Sequence, residues 1–204
     1  MGHQKEKQVT RFDEVLQEVE NRCREQRFPM LGREKAEFLG RLVFKTQPSL
    51  IVECGTAIGY SGLWMASRLS AAGKGRIITL EIDPDRADEA RENFTRAGVG
   101  DLVDSRQGDA KELLKAIHEP VDFLLLDNGY TNYFPCFRAI ESRLVNGATV
   151  VADNVGIGAE AMADYLDHVR ARSQSETHWF DVDLPWVKRD AMEVTVYQTC
   201  QDQN

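Results

Sequence analysis

Chemistry that depends on thiols or imidazoles has little to work with in this chain, whose 204 residues include four cysteines and four histidines. Cys23, Cys54, Cys136 and Cys200 form no C-x-x-C pair, which speaks for free thiols in a reducing compartment over zinc or disulfides. His3, His118, His168 and His178 stand at no metal-ligand spacing. No apolar run approaches the roughly 20 residues of a membrane span. The opening Met1-Gly2-His3-Gln4-Lys5-Glu6 lacks the apolar core of a secretory signal. Positive charge is short as well. Lys and Arg number 25 against 33 Asp and Glu, and a net charge of −8 disfavours an extended nucleic-acid footprint. Repeats, low-complexity stretches and interdomain linkers are missing too. These absences leave a cytoplasmic globular protein, with residues 1–204 forming one domain large enough to bury a core.

What is present is an alternation of strand and helix. Phe12, Val15, Leu16, Val19 and Cys23 share one face of an opening helix, and Ala36, Phe38, Leu39, Leu42 and Val43 mark a second. Residues 1–46 therefore read as helices ahead of a core over 47–204. Strands are predicted at 49–54, 76–81, 102–107, 121–127 and 148–153. Helices centre on 62–72, 84–97, 110–117 and 132–145, and the chain closes with a helix over 159–173 and strands near 178–183 and 192–198. Val121–Leu126 and Ala148–Ala152 are largely apolar, as in parallel strands covered on both faces. The pattern predicts an α/β doubly wound sheet, which binds ligands outside the carboxyl ends of its strands.

The first such end carries the strongest signal. Leu50-Ile51-Val52 runs into Glu53-Cys54-Gly55-Thr56-Ala57-Ile58-Gly59-Tyr60-Ser61, then into helical Leu63-Trp64-Met65-Ala66. Two glycines four apart let the backbone approach a ligand, and the following helix start offers free N–H groups. Glu81 ends the second strand 26 residues after Gly55, where a carboxylate accepts ribose hydroxyls. An adenosine-bearing cofactor fits this pair. Glu53 would repel a pyrophosphate and attract an ammonium, and this turn carries no G-x-G, so a nicotinamide-dependent oxidoreductase is the weaker reading. The Glu-x-Gly-x-x-x-Gly pattern resembles motif I of the class I methyltransferases, which implies S-adenosylmethionine (SAM).

Further strand ends carry Asp109, Asp127 and Asp153-Asn154. Asp127 and Asp153-Asn154 end strands that are neighbours in such a sheet, so two carboxylates and an amide oxygen converge beside the cofactor. Oxygen donors without His or Cys suit a hard cation, Mg²⁺ first and Ca²⁺ or Mn²⁺ next. Taken singly, each of these residues also serves as a helix cap.

Asp127, Asn132-Tyr133 and Val151-Ala152-Asp153-Asn154-Val155 together resemble the metal-dependent O-methyltransferases of the catechol and caffeoyl-CoA type, over residues 28 to 198. Asp164-Tyr165-Leu166-Asp167-His168-Val169-Arg170 is closer to the catechol branch, and Phe28-Pro29-Met30-Leu31-Gly32 matches the segment that helps close the family's cofactor site. The resemblance implies a Rossmann-like sheet of seven strands, the last antiparallel, with helices on both faces. It implies Asp127, Asp153 and Asn154 as metal ligands and Glu81 on the ribose. Glu53, Gly55 and Ser61 would line the methionine part, Asp109 and Ala110 the adenine side, and Leu31, Thr56, Gly59, Tyr60, Ile82 and Asp127 the remaining cofactor wall.

One position departs from the family. A lysine base normally follows the first metal-ligand aspartate by three residues, and this chain has Tyr130 there. Tyr130 is the candidate catalytic group, as a phenolate base or as a wall against the substrate ring. Leu184-Pro185-Trp186-Val187-Lys188-Arg189 reads as the substrate loop, with Trp186 as an aromatic lid. The expected activity is methyl transfer from SAM to a hydroxyl of a catechol-like aromatic small molecule. No membrane partner is expected, nucleic acid is disfavoured, and a homodimer is compatible with the family. Two rivals remain: a hydroxylated tRNA nucleoside as acceptor, using a basic strip of Arg33, Lys35, Arg41 and Lys45, and a non-catalytic SAM-binding protein.

Overall fold

In the computed structural model, which describes residues 10–26, 28, 30–182 and 188–199, two layers of helices sandwich one sheet. Helices α1 (Arg11–Gln26) and α2 (Arg33–Thr46) precede β1 (Leu50–Cys54). Then come α3 (Tyr60–Ala72), β2 (Arg76–Glu81), α4 (Pro84–Arg96), β3 (Val103–Gln107), α5 (Ala110–Leu113) and β4 (Val121–Leu126). The chain continues with α6 (Tyr133–Ile140), β5 (Leu144–Ala152), α7 (Ala163–Arg172), β6 (Gln174–Asp181) and β7 (Arg189–Val196).

The seven strands lie in the order β3-β2-β1-β4-β5-β7-β6. Strands β1 to β5 pair in parallel, and β7 runs antiparallel to both of its neighbours. The expected antiparallel last strand is therefore observed. Alternation along the strands explains the two covered faces. Ile51, Ile77, Phe123, Leu125 and Val151 point into the core under α1–α4, while Val52, Ile78, Leu124, Leu126 and Val150 point into the core under α5–α7. With consecutive residues buried on opposite faces, these strands read as apolar runs rather than as an alternation.

Several boundaries differ from the sequence expectation. The helix predicted over 132–145 ends at Ile140, a 3-10 turn spans Glu141–Arg143, and β5 starts at Leu144 rather than 148. Gly147 (φ +83°) lets the strand turn there, and its N–H donates to the Tyr197 carbonyl at 2.8 Å. The helix predicted over 110–117 is α5 followed by a 3-10 turn, Leu114–Ala116. The last helix begins at Ala163 rather than 159, and β6 begins at Gln174 rather than 178. Asp83 caps α4, accepting the N–H groups of Asp85 and Arg86 ahead of Pro84 in the first turn.

The topology fixes where a ligand sits. Connections leave β1 toward one side of the sheet and β4 toward the other, so a crevice opens between their carboxyl ends. Asp127 N–H donates to the Cys54 carbonyl at 2.9 Å, and Asp153 N–H to the Leu126 carbonyl at 3.1 Å. These bonds carry the pairing of β1, β4 and β5 one residue past the strands, and hold Gly55, Asp127 and Asp153 at one edge.

Candidate active site and cofactor crevice

The glycine turn is built around Glu81. Its two carboxylate oxygens accept the Ala57 N–H at 2.7 Å and the Asp83 N–H at 3.0 Å. Ala57 is held at φ +45°, a left-handed conformation uncommon for a residue with a Cβ, and the bond to Glu81 fixes it. The N–H of Gly55 donates to Leu80 at 2.9 Å, and that of Gly59 to Thr56 at 2.9 Å. Helix α3 then starts at Tyr60, which leaves the first-turn N–H groups facing the crevice edge. Beyond Glu81, the Ile82 side chain is 67% exposed, an apolar surface at the tip of β2. Asp109 caps α5 by accepting the Lys111 N–H at 2.9 Å, with Ala110 buried behind it.

Glu53 lies beneath the turn with no exposed surface. Ser61 donates its hydroxyl to one carboxylate oxygen, and Thr79 donates to the other at 2.5 Å. Burial pushes the Glu53 carboxyl up to about 7, against the downward pull of those two hydroxyls. Thr56 meets Thr79 in turn, so the carboxylate communicates with the turn through hydroxyl groups. Tyr60 and Leu31, expected on the cofactor wall, are both buried. The Tyr60 hydroxyl donates to Glu20 at 3.3 Å, and Glu20 also accepts from Arg24 and Arg33, which ties α1 to α3. Leu31 packs in the core under α1–α4.

The second half of the edge is the oxygen cluster, and it contains two residues that the motifs did not supply. Lys35 of α2 is only 3% exposed, and its ammonium donates to Asp153 at 2.7 Å and to Asp190 at 2.5 Å. Asp190 also accepts from the Asn154 side-chain amide at 2.8 Å and from the N–H groups of Gly156 and Ile157, both at 3.1 Å. Asn154 itself sits at φ +58°. Asp190 thereby clamps the turn after β5. Both residues left signals in the sequence. Lys35 is in line with Leu39 and Val43 at helical spacing, on the apolar face of α2. Asp190 is the second residue of β7, which starts at the edge where β5, its antiparallel partner, ends.

Electrostatics across the cluster are uneven. Burial pushes Asp190 up, but the bonds from Lys35 and Asn154 outweigh it and leave the carboxyl below its ordinary range. Burial pushes Lys35 down, and the charge of Asp153 with the bonds to both aspartates more than reverses that. Asp127 is pushed up by burial and then by Asp153. Its half-buried carboxylate takes no hydrogen bond or ion pair among the described residues. Tyr130 stands in a 3-10 turn over Tyr130–Asn132, and burial followed by the charges of Asp190, Asp127 and Asp153 pushes its phenol up.

The divalent cation implied by the family resemblance fits this set on charge and donor chemistry. Asp153 and Asp190 share the Lys35 ammonium, and the Asp127 carboxylate has no partner of its own among the described residues, so a divalent ion would offset the excess negative charge. Asp127, the second oxygen of Asp153 and the Asn154 carbonyl oxygen are hard donors. Among the described residues no three His, Cys, Asp or Glu side chains gather round one point, so the amide of Asn154 is needed to complete the set. The basic strip expected from Arg33, Lys35, Arg41 and Lys45 is broken. Lys35 is buried in ion pairs and Arg33 is bound to Glu20. Trp186 and the rest of 183–187, like Pro29 and Cys200, lie outside the described residues.

Comparisons with known proteins agree with this geometry. A family described as "Methyltransferase domain" matches residues 52–155. Catechol O-methyltransferase of Mus musculus is 29% identical over 97% of this chain and 80% of its own length. Catechol O-methyltransferase B of Danio rerio is 30% identical over 90% of this chain and 71% of its own. Among solved structures, an O-methyltransferase from Bacillus cereus in complex with SAH superposes with a TM-score of 0.79 at 25% identity, covering 91% of both chains.

Proposed function

The chain belongs to the SAM-dependent O-methyltransferases of the catechol and caffeoyl-CoA type, and on that premise we propose that it methylates one hydroxyl of a catechol-like small molecule with the help of a divalent cation. The observation that carries this reading is the meeting, at one sheet edge, of the Glu81-bound glycine turn with Asp127, Asp153 and Asn154.

In this reading Glu81 keeps the turn in shape and shares its carboxylate with the ribose. Gly55, Thr56, Gly59, Tyr60 and Ser61 present backbone groups to the methionine part, while the hydroxyls of Thr56, Tyr60 and Ser61 brace the turn from beneath. Ile82, Asp109 and Ala110 border the adenine, with Leu31 closing the wall from behind. Asp127, Asp153 and Asn154 hold the cation. When bound, the cation acidifies the acceptor hydroxyl and offsets the carboxylates that surround Tyr130. Tyr130 faces the acceptor and, in its phenolate form, takes the hydroxyl proton as the oxygen bonds to the sulfonium methyl and the carbon–sulfur bond breaks, leaving a neutral thioether and a phenol. Methyl transfer of this kind asks the protein mainly to bring oxygen and methyl together in line.

The test is methyl transfer from isotopically labelled SAM to a panel of catechols and monophenols, with Mg²⁺ and with a chelator. Turnover confined to vicinal diols and lost with the chelator is the expected result. Turnover on monophenols with the chelator present would sink the chelated-diol reading.

Glu53 gives the cofactor site a pH dependence. Its folded-state carboxyl, at about 7, lies above the ordinary 4.5. Protonated Glu53 thus stabilises the cofactor-free protein below pH 4.5, and that contribution is lost as pH rises through 7. The ammonium of SAM favours the ionised form, so binding below pH 7 releases a proton. SAM affinity is expected to fall by up to about tenfold per pH unit below that value. Calorimetry at pH 6 and 8, in buffers of different ionisation heat, measures both effects. A Glu53→Gln variant with the same pH dependence would refute the assignment.

A further inference from the structure

We propose that Lys35 is a resident cation that competes with the divalent ion for the carboxylates of this site, keeping the ion-free site folded while weakening its hold on the metal. The inference rests on the reading of Asp127, Asp153 and Asn154 as cation ligands, and concerns what this chain adds to them.

The geometry is specific. Lys35 comes from α2, one of the two helices ahead of the sheet, and reaches 118 residues along the chain to Asp153 and 155 residues to Asp190. Both pairs are buried on both sides, with side-chain exposures of 3% and 3% for Lys35–Asp153, and 3% and 2% for Lys35–Asp190. A buried ammonium is tolerated only where carboxylates surround it, and buried carboxylates repel one another unless a cation sits among them. Lys35 answers both needs without a metal.

The same contact puts Lys35 in conflict with a metal. One oxygen of Asp153 is spent on the ammonium. Asn154 is drawn toward Asp190, whose other contact at that oxygen is Lys35. A divalent ion entering between Asp127, Asp153 and Asn154 meets a positive charge already bound to one of its ligands. A contact that stabilises the ion-free form and is given up on binding lowers ion affinity by the amount given up, because binding is measured from that form. Removing the charge of Lys35 leaves Asp127, Asp153 and Asp190 without a counter-ion. The ion-free protein then loses stability, and cation binding restores more of it.

Mn²⁺ is the probe, its free fraction read by electron paramagnetic resonance on the full chain with S-adenosylhomocysteine bound. Thermal unfolding is followed in parallel, in chelator and in excess Mn²⁺. Lys35→Met is expected to bind Mn²⁺ at least tenfold more tightly than the wild type, to melt lower in chelator, and to gain more from Mn²⁺. Lys35→Arg, which keeps the charge, is expected to bind within threefold of the wild type. Lys35→Gln keeps a hydrogen-bond donor and drops the charge, and serves if the Met variant does not fold. It is expected to show the same tightening. A wild type that binds no Mn²⁺ beside an uncharged variant that does would also support the competition.

Mn²⁺ affinity unchanged or weaker in both uncharged variants, with the wild type binding, would overturn the inference and leave the cation reading standing. No Mn²⁺ binding by any of the proteins would overturn both. Failure of both uncharged variants to fold, with or without Mn²⁺, would make Lys35 a brace alone and overturn the inference.

Discussion

Gly55→Ala is expected to lose SAM binding and to melt at least about 8 °C below the wild type, in a protein otherwise one methyl group larger. A Cβ on Gly55 would lie 2.1 Å from the Asp127 carbonyl oxygen, 2.7 Å from its carbon and 3.2 Å from the Asn128 nitrogen. All three are backbone atoms, so no side-chain rotation relieves the clash. Backbone relief is blocked as well. Gly55 N–H is bonded to Leu80, and Asp127 N–H to Cys54, which pins the two segments against each other from both sides. The φ of +101° adds strain for any residue with a Cβ.

Relief therefore requires β1 and β4 to part at their carboxyl ends, where the cofactor turn and Asp127 meet. Damage of this class costs about 4–5 kcal/mol, against a total stability of about 5–15 kcal/mol for a domain. At about 2–4 °C per kcal/mol for a chain of this length, the melting point falls by about 8–20 °C. Gly73→Ala is the control. Gly73 also has positive φ, at +67°, but a Cβ there meets nothing within 4 Å, so only the conformational cost of about 1 kcal/mol applies. Thermal melts and calorimetric titration with SAM check both variants. A Gly55→Ala protein within 3 °C of the wild type, with SAM affinity intact, would show that the strand ends separate easily and that the turn is not pinned as described.

The sequence made Gly55, Glu81, Asp127 and Asp153 visible because parallel strands announce themselves. Each is an apolar run buried on both faces, and the polar residue that ends it must lie at the ligand edge. Asp190 was harder to see for the converse reason. It lies at the start of a strand instead of the end of one, and only the antiparallel pairing of β5 with β7 brings that start to the edge. Lys35 was hidden by its type. A lysine among Arg33, Arg41 and Lys45 reads as solvated, although its phase on α2 matches buried Leu39 and Val43. Glu53 was visible as a residue but not as a connection. Its bonds to Ser61 and Thr79 join β1, α3 and β2, and no spacing in one segment encodes that. The late start assigned to β5 has a similar origin. Asn146 and Gly147 are exposed and lie where the β4–β5 register shifts between the Val121–Leu144 and Phe123–Thr149 pairs, an irregularity that composition does not announce.

Tyr130→Phe is expected to lower kcat by about 10²-fold, the lower end of what a positioned general base contributes, while KM for the acceptor stays within about threefold. The substitution removes one oxygen and leaves the ring in place. The ring is hemmed in, since a Cβ on Gly158 would come within 2.9 Å of the Tyr130 Cδ1 atom. The pH profile separates a base from a wall. Burial and then Asp190, Asp127 and Asp153 push the Tyr130 phenol up from 10, so only a small fraction is phenolate near neutral pH. If the phenolate takes the proton, kcat of the wild type climbs with pH from 7 to 9, and Tyr130→Phe loses that climb together with the rate. Tyr130→Lys writes in the lysine of the family that the chain resembles, and is expected to recover most of the rate. A Tyr130→Phe enzyme with wild-type kcat across this range would show that the acceptor hydroxyl gives up its proton without Tyr130, leaving the ring as a wall of the substrate pocket. Rate loss with the pH climb retained would instead assign the phenol a hydrogen bond that positions the acceptor oxygen.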